Sequence, residues 1–187
     1  MSRLTAERLQ ELYAGTLQLV AERGYDRLTM DQIAEATKSS KATLYRQWGS
    51  KSALVVEAMK CVGDHEEEPP DTGTLRGDLM TMVDRAEGRE KDSDLLAAIM
   101  HAVRQDPELA EAVRAEILEP GRDRIRSVIA RAVDRGEVAA DCPALPFVDY
   151  VFIAPIVLHH LIEGSEPAPD FLRRYFDGAL LPALGIH

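Results

Sequence analysis

Apolar residues recur at i, i+3, i+4 spacing along almost the whole chain, with no sustained alternation and no Asn-Gly or Asp-Gly hairpin signal. That pattern predicts an all-α protein. Leu9, Leu12, Tyr13, Thr16, Leu17 and Val20 make one face of a first helix, from about Leu4 to Arg23. Gly24 ends it, because glycine alone takes positive φ without strain. Tyr25 and Leu28 are expected to fold back on that face. Thr29-Met30-Asp31-Gln32 reads as a capping box opening a second helix, with Met30, Ile33 and Ala34 inward and its end near Thr37. Lys38-Ser39-Ser40 is a turn. Ser40 caps a third helix from Lys41 to about Trp48, with Leu44 and Trp48 inward. Gly49-Ser50 breaks the chain again, and Ser50 caps a fourth helix that carries Leu54, Val55, Ala58, Met59 and Val62 inward and ends around Asp64.

Residues 65–73, H-E-E-E-P-P-D-T-G, read as a solvated loop. Longer helices follow. Thr74 caps a fifth, with Leu75, Leu79, Met82, Val83 and Ala86 inward. Ser93 opens a sixth, with Leu95, Leu96, Ile99, Met100 and Val103 inward. Asp106-Pro107 starts a seventh, which Pro120-Gly121 should kink or break before it resumes toward a cap at Gly136. An eighth runs from about Pro143 to Glu163. Its stretch Val151–Leu158 is apolar all round, which predicts burial all round and a kink at Pro155. Asp170 caps a ninth. No internal repeat is present. The expected fold is a three-helix N-terminal head, residues 1–50, and a body of about six helices, residues 51–187.

Totals narrow the function. With 187 residues and 45% hydrophobic content, the chain can build a head plus a larger body. No apolar run is long enough for a membrane span, and Arg3, Glu7, Arg8 and Glu11 interrupt any signal-peptide core. Cys61 and Cys142 lie far apart without metal-ligand spacing, which fits a cytoplasmic protein with no disulfide and no bound metal. The net charge of −10 argues against nucleic-acid binding by the whole surface. Its distribution says more: residues 1–60 carry nine Lys and Arg against seven Asp and Glu, and residues 61–187 carry thirteen against twenty-five. A slightly basic head on an acidic body directs DNA to one end.

Two short helices joined by a three- or four-residue turn, the second with polar residues outward, form the helix-turn-helix layout. Lys41 and Lys51 stand at two successive helix starts, against the dipole, where a phosphate would relieve them. Thr43 and Tyr45 supply hydroxyls for phosphate or sugar. Arg46 and Gln47 carry donors suited to base edges. Tyr45 is read as a phosphate contact, not as core, because Leu44 and Trp48 already define the buried face. Lys38 stays open between DNA contact and ordinary surface.

The run T-M-D-Q-I-A…S-K-A-T-L-Y-R-Q-W-G-S-K resembles the helix-turn-helix of the TetR family of bacterial transcriptional regulators, over residues 5–60. The resemblance implies a homodimer paired through its last two helices, a small-molecule pocket in the body, and no cofactor. It implies backbone contacts from Thr43, Tyr45 and Lys51, and sequence reading by Lys41, Ala42, Arg46 and Gln47. Thr29, Lys38 and Ser40 complete the candidate DNA-binding set. The family usually has glycine where Lys38 stands and an apolar residue where Ser39 stands. A positive φ at Lys38 would cost of order 1 kcal/mol.

For an effector, the candidate residues are Met80, Met100, His101, Tyr150 and Phe152. The methionines read equally as plain core and His101 as a satisfied or exposed histidine, while Tyr150 and Phe152 stand on a helix apolar all round, one side of which must face a pocket or a partner. His159-His160 point about 100° apart on a helix and do not share an ion easily. No GxSxG, HExxH, P-loop or GxGxxG occurs, so no catalytic residues are assigned. The expected function is a ligand-released repressor on a palindromic operator. A helical sensor or adaptor working through protein partners is the alternative. Activation in place of repression depends on operator position, not on this chain.

Overall fold

The computed structural model describes residues 5–63, 68–86 and 93–186, all helices and connections, with no strand among them. Helices α1 (Ala6–Arg23), α2 (Met30–Ala36), α3 (Lys41–Trp48) and α4 (Lys51–Gly63) begin where their capping side chains place them. Thr5 Oγ1 accepts from Arg8 N and Ser40 Oγ from Thr43 N. Thr29 and Gln32 complete the reciprocal capping box, and Ser50 Oγ accepts from Ala53 N at 3.2 Å. Such contacts satisfy the orphan N–H groups of a first turn locally, so they are visible in sequence. Gly24 has φ +78°, as its position requires, with ψ at 144° in place of a left-handed helical value.

The chain divides into two compact units. The first comprises residues 1–67 and 92–121. It holds α1–α4, α6 (Ser93–Ala102) and α7 (Pro107–Val113). Its core is built from Leu12, Val20, Leu28, Ile33, Leu44, Leu54 and Val55, all at 0–1% exposure. Tyr25 and Leu28 fold onto it as expected. Asp106 caps α7 through Oδ1, accepting from Glu108 N at 3.0 Å and Leu109 N at 3.1 Å, with Pro107 at the first helical position.

The second unit comprises residues 68–91 and 122–187. It contains α5 (Leu75–Ala86), most of α8 (Glu119–Asp134), α9 (Val148–Glu163), α10 (Pro169–Tyr175) and α11 (Leu181–Ala183) around Leu75, Leu79, Val128, Phe176 and Leu180. Its buried carboxylates are held. Asp78 accepts from Thr72 N at 2.6 Å and Thr72 Oγ1 at 2.8 Å. Asp149 accepts from Arg122 Nε at 2.9 Å and from Arg126 at 3.0 Å. No described helix is long and apolar enough to cross a membrane.

Several expectations need correction. Pro120 does not break its helix. A π-helical stretch, Arg114–Leu118, closed by Glu119 N to Arg114 O, carries α7 into α8. Phe176–Leu180 does the same between α10 and α11, closed by Leu181 N to Phe176 O. Each stretch ends two residues before a proline, Pro120 or Pro182. The wider turn accommodates the missing N–H and the proline ring, which an unbroken α-helix would set against the carbonyl one turn back.

The eighth predicted helix starts later than Pro143, because Pro143 and Pro146 favour a single 3-10 turn, Leu145–Phe147, before α9. The ninth is capped by Ala168 with Pro169 first, which places Asp170 inside the first turn. Met100 does not face inward. It is 47% exposed, because the buried face of α6 is set by Ile99 and Ala102 and Met100 lies about 100° away. The apolar run Val151–Leu158 of α9 is not buried all round: Phe152 is buried, while Leu158 is 45% exposed. The predicted loop 65–73 lies partly, and the Val62 and Ala86 side chains wholly, outside the described residues.

Candidate nucleic-acid interface

The turn between α2 and α3 is a Schellman motif. Ser39 N donates to Ala34 O at 2.8 Å and Lys38 N to Glu35 O at 3.2 Å. That pairing needs a left-handed residue at the position after the cap, and here Lys38 fills it with φ +50°, the sole non-glycine with positive φ among the described residues. Thr37 is buried, and its hydroxyl donates to Ile33 O at 2.7 Å. The Arg8 guanidinium of α1 donates to Thr37 O. The turn is therefore fixed from both sides and sets the angle at which α3 leaves.

Leu44 (0% exposed) anchors α3 below. Trp48, half-buried, meets Tyr13 edge-on at 5.9 Å between ring centroids. Seated this way, α3 presents Lys41, Ala42, Tyr45, Arg46 and Gln47 to solvent, with Thr43 half-exposed. Tyr45 is 46% exposed and so is not a core residue. Thr29 and Ser40 are exposed as well, with their hydroxyls already engaged. Thr29 Oγ1 bonds Gln32 Oε1 at 3.2 Å, and Ser40 Oγ lies 2.8 Å from Thr43 Oγ1.

The two lysines placed against helix dipoles have found different partners. Lys41 Nζ lies 2.8 Å from Asp31 Oδ1 and donates to Asp31 Oδ2 at 2.9 Å. Its ammonium is 5.8 Å from the Tyr45 ring centroid. The hydrogen bond and charge of Asp31 raise the Lys41 pKa above its ordinary value. Lys51 turns inward. Its Nζ donates to Tyr25 O at 2.8 Å and Leu28 O at 2.9 Å and lies 3.8 Å over the Tyr25 ring. Burial lowers its pKa. The expectation that Lys51 offers its charge to a phosphate meets an ammonium already committed to the connection between α1 and α2.

The five residues put forward for an effector are not gathered in one unit. Met100 and His101 belong to the first. His101 is exposed, 2.6 Å from Gln105 Nε2 and 3.5 Å from Asp26. Met80, Tyr150 and Phe152 belong to the second. Met80 packs on its core and Phe152 stacks on Phe176 with centroids 5.2 Å apart. In the first unit a groove of about 920 Å³ is lined by Leu9, Tyr13 and Trp48 and edged by Glu57, Glu108 and Glu116. Gln47 also lines it, and none of the five candidates does. His159 Nδ1 turns to Ser165 O at 2.7 Å and His160 Nδ1 to Glu166 at 3.6 Å, so the histidine pair does not converge. The residue that sequence reasoning missed is Asp31. Its partner lies ten positions away on the next helix, and no local signal links them.

Residues 12–58 match the model described as bacterial regulatory proteins, tetR family, and residues 69–179 match the tetracyclin repressor-like C-terminal domain. The chain is 32% identical over 177 residues to the uncharacterized HTH-type transcriptional regulator Rv1556 of Mycobacterium tuberculosis, covering 93% of this chain and 86% of that protein. It is 32% identical over 174 residues to the DNA-binding transcriptional repressor TetR of Mycobacteroides abscessus, covering 91% and 90%. The crystal structure of the TetR family transcription regulator SCO0332 superposes with a TM-score of 0.63 at 25% identity, over 95% of this chain and 98% of that one. The chain therefore belongs to the TetR family of bacterial transcriptional regulators, as a DNA-binding helix-turn-helix protein.

Proposed function

We propose that this regulator is a repressor that binds a palindromic operator as a homodimer and is released by a small molecule. The observation that carries the reading is the seating of α3. Leu44 is buried beneath it while Lys41, Ala42, Tyr45, Arg46 and Gln47 face outward from a rigid turn. A helix presented in this way fits the major groove, with Arg46 and Gln47 suited to base edges and Tyr45, Thr43 and Lys38 to phosphates. Residues 1–50 act as the head and residues 51–187 as the regulatory and pairing body.

Pairing is supported by the exposed apolar residues of α9. Leu158 and Ile162, four residues apart, share one helical face, Tyr150 lies about 80° round the helix from Leu158, and Phe147 stands just before the helix. An apolar face of this kind calls for a partner, and in a two-fold dimer it meets its own copy. Two heads held about 34–36 Å apart match successive major grooves on one side of the duplex. A ligand that prefers another spacing needs a coupling of about 1–3 kcal/mol to release the operator. The Mycobacteroides abscessus relative carries the name of a repressor.

The test is a titration of the purified chain against the intergenic DNA upstream of its own gene. Saturable binding of two chains per site, lost when a scrambled duplex is used, is expected. Binding of a single chain per site, or equal binding to the scrambled duplex, overturns the proposal.

A further inference from the structure

We propose that Asp31 sets the selectivity of the head by clamping Lys41, which withdraws one positive charge from indiscriminate phosphate binding. This rests on α3 being the DNA-facing helix. Lys41 is the first residue of α3, whose first turn contains no acidic side chain. An ammonium there is opposed by the helix dipole. The relief comes from α2. Asp31 sits in the first turn of α2, where a carboxylate is favoured, and brings both oxygens to the Lys41 ammonium at 2.8 and 2.9 Å. One carboxylate thus serves two helix starts.

An ammonium has three N–H donors. With one given to Asp31 Oδ2 and Oδ1 held beside the same ammonium, the remaining two are kept to the side that faces away from the carboxylate, in one general direction. A clamped lysine serves an acceptor placed along that direction, whereas a free lysine swings to any phosphate within reach. Asp31 therefore weakens binding to arbitrary duplexes more than binding to a sequence that presents the right acceptor. The pair is exposed, with 56% and 63% of the two side chains accessible. Pairs of that kind are weak and screened by salt, so the clamp filters binding without blocking it.

The experiment uses the full chain as wild type, D31N, K41M and the double variant. The probes are a mixed-sequence duplex and a duplex selected from a random pool by the wild-type protein, each titrated over a range of KCl. Asn keeps the size of the side chain and stays compatible with the α2 N-terminus, and melting curves check that each variant folds. D31N is expected to bind the mixed-sequence duplex about two- to five-fold more tightly at 0.1 M salt, with a salt slope steeper by about 0.9, one extra phosphate neutralised. The preference for the selected duplex falls correspondingly. In the K41M background the Asp31 substitution is expected to change neither affinity nor slope. An equal gain from D31N with and without Lys41 overturns the clamp, since the carboxylate then acts as simple repulsion. Unchanged discrimination between the two duplexes also overturns it. Failure of the wild type to bind any duplex, in contrast, overturns the reading of α3 itself.

Discussion

Lys41 and Lys51 begin two successive helices, each directly after a capping serine and each against the helix dipole, yet the fold uses them in opposite ways. Lys41 stays in solvent and is neutralised by a carboxylate from the neighbouring helix. Lys51 is drawn inward onto two backbone carbonyls and the face of Tyr25. Their pKa shifts run in opposite directions for different reasons: Asp31 raises the first and burial lowers the second. Identical local placement therefore says nothing about role. What decides it is where the next oxygen lies, and that oxygen comes from 10 residues away for Lys41 and from 23 and 26 residues away for Lys51.

The sharpest way to break this comparison is to remove each ammonium in turn. Lys51→Met is expected to destabilise the protein by about 2–3 kcal/mol. It leaves the Tyr25 and Leu28 carbonyls without their charged donor and removes the cation–π contact. In a chain of this size that corresponds to a melting temperature lower by about 5–10 °C. Lys41→Met removes an exposed, solvent-screened pair and should move the melting temperature by no more than about 4 °C. Thermal unfolding followed by circular dichroism measures both. Equal shifts would mean that Lys51 is no more structural than Lys41.

A second test reaches the Lys51 side through pH. Tyr25, under the Lys51 ammonium, donates its hydroxyl to Asp106 Oδ2 at 3.0 Å, and burial followed by this bond raises the tyrosine pKa. The Leu109 N–H, the Tyr25 hydroxyl and the Glu108 N–H together hold the Asp106 carboxyl below its ordinary pKa of 3.8, with Leu109 the largest contributor. A depressed carboxyl stabilises the fold fully above its unfolded pKa, and that stability is lost as pH falls through the folded pKa. Asp106→Asn keeps a good helix cap but cannot ionise. The stability gap between wild type and variant should therefore be constant from pH 5 to 7 and close progressively below about pH 3.8. Urea denaturation at a series of pH values checks it. A gap that persists unchanged at the acid end would remove Asp106 from this network.

What the sequence made legible was local. Every N-cap in the head spans three residues, so Thr29, Ser40 and Ser50 mark the starts of α2, α3 and α4; Gly24 and Gly49 mark the ends of α1 and α3, and Gly136 the end of α8. The outward face of α3 followed from Leu44 and Trp48 alone. The residues that fix electrostatics across elements were hidden, because Asp31 and the carbonyls of Tyr25 and Leu28 reach their lysines only once the helices are packed. The π-helical stretches were hidden too. A proline signals a defect, but whether the chain breaks or widens its previous turn depends on the packing of both flanking segments. Met100 was misplaced because two buried residues on α6 fix its face and an apolar neighbour one position away falls outside it. The apolar run of α9 predicts burial throughout because hydropathy does not tell a buried face from an apolar face left exposed, as at Leu158.

The third lysine of the head gives the smallest and most exacting test. Lys38 closes a Schellman motif with the same two hydrogen bonds that Gly136 closes after α8, where Glu137 N meets Ala132 O and Gly136 N meets Val133 O, each at 2.9 Å. Gly136 does this at φ +76° and Lys38 at φ +50°. An L side chain in that region costs of order 1 kcal/mol, partly offset because glycine loses more freedom on folding. Lys38→Gly is accordingly expected to stabilise the protein by about 0.5–1 kcal/mol, raising the melting temperature by about 1–4 °C, while weakening DNA binding through the lost charge. Gly136→Ala is the reciprocal control. A Cβ built there meets nothing within 4 Å, so its cost is conformational alone and should be of similar size and opposite sign. An unchanged or lower melting temperature for Lys38→Gly would mean that the Lys38 side chain compensates its backbone in the folded head. If both signs hold, the head keeps a lysine at this turn at the expense of stability, which is the pattern expected where a charge serves DNA.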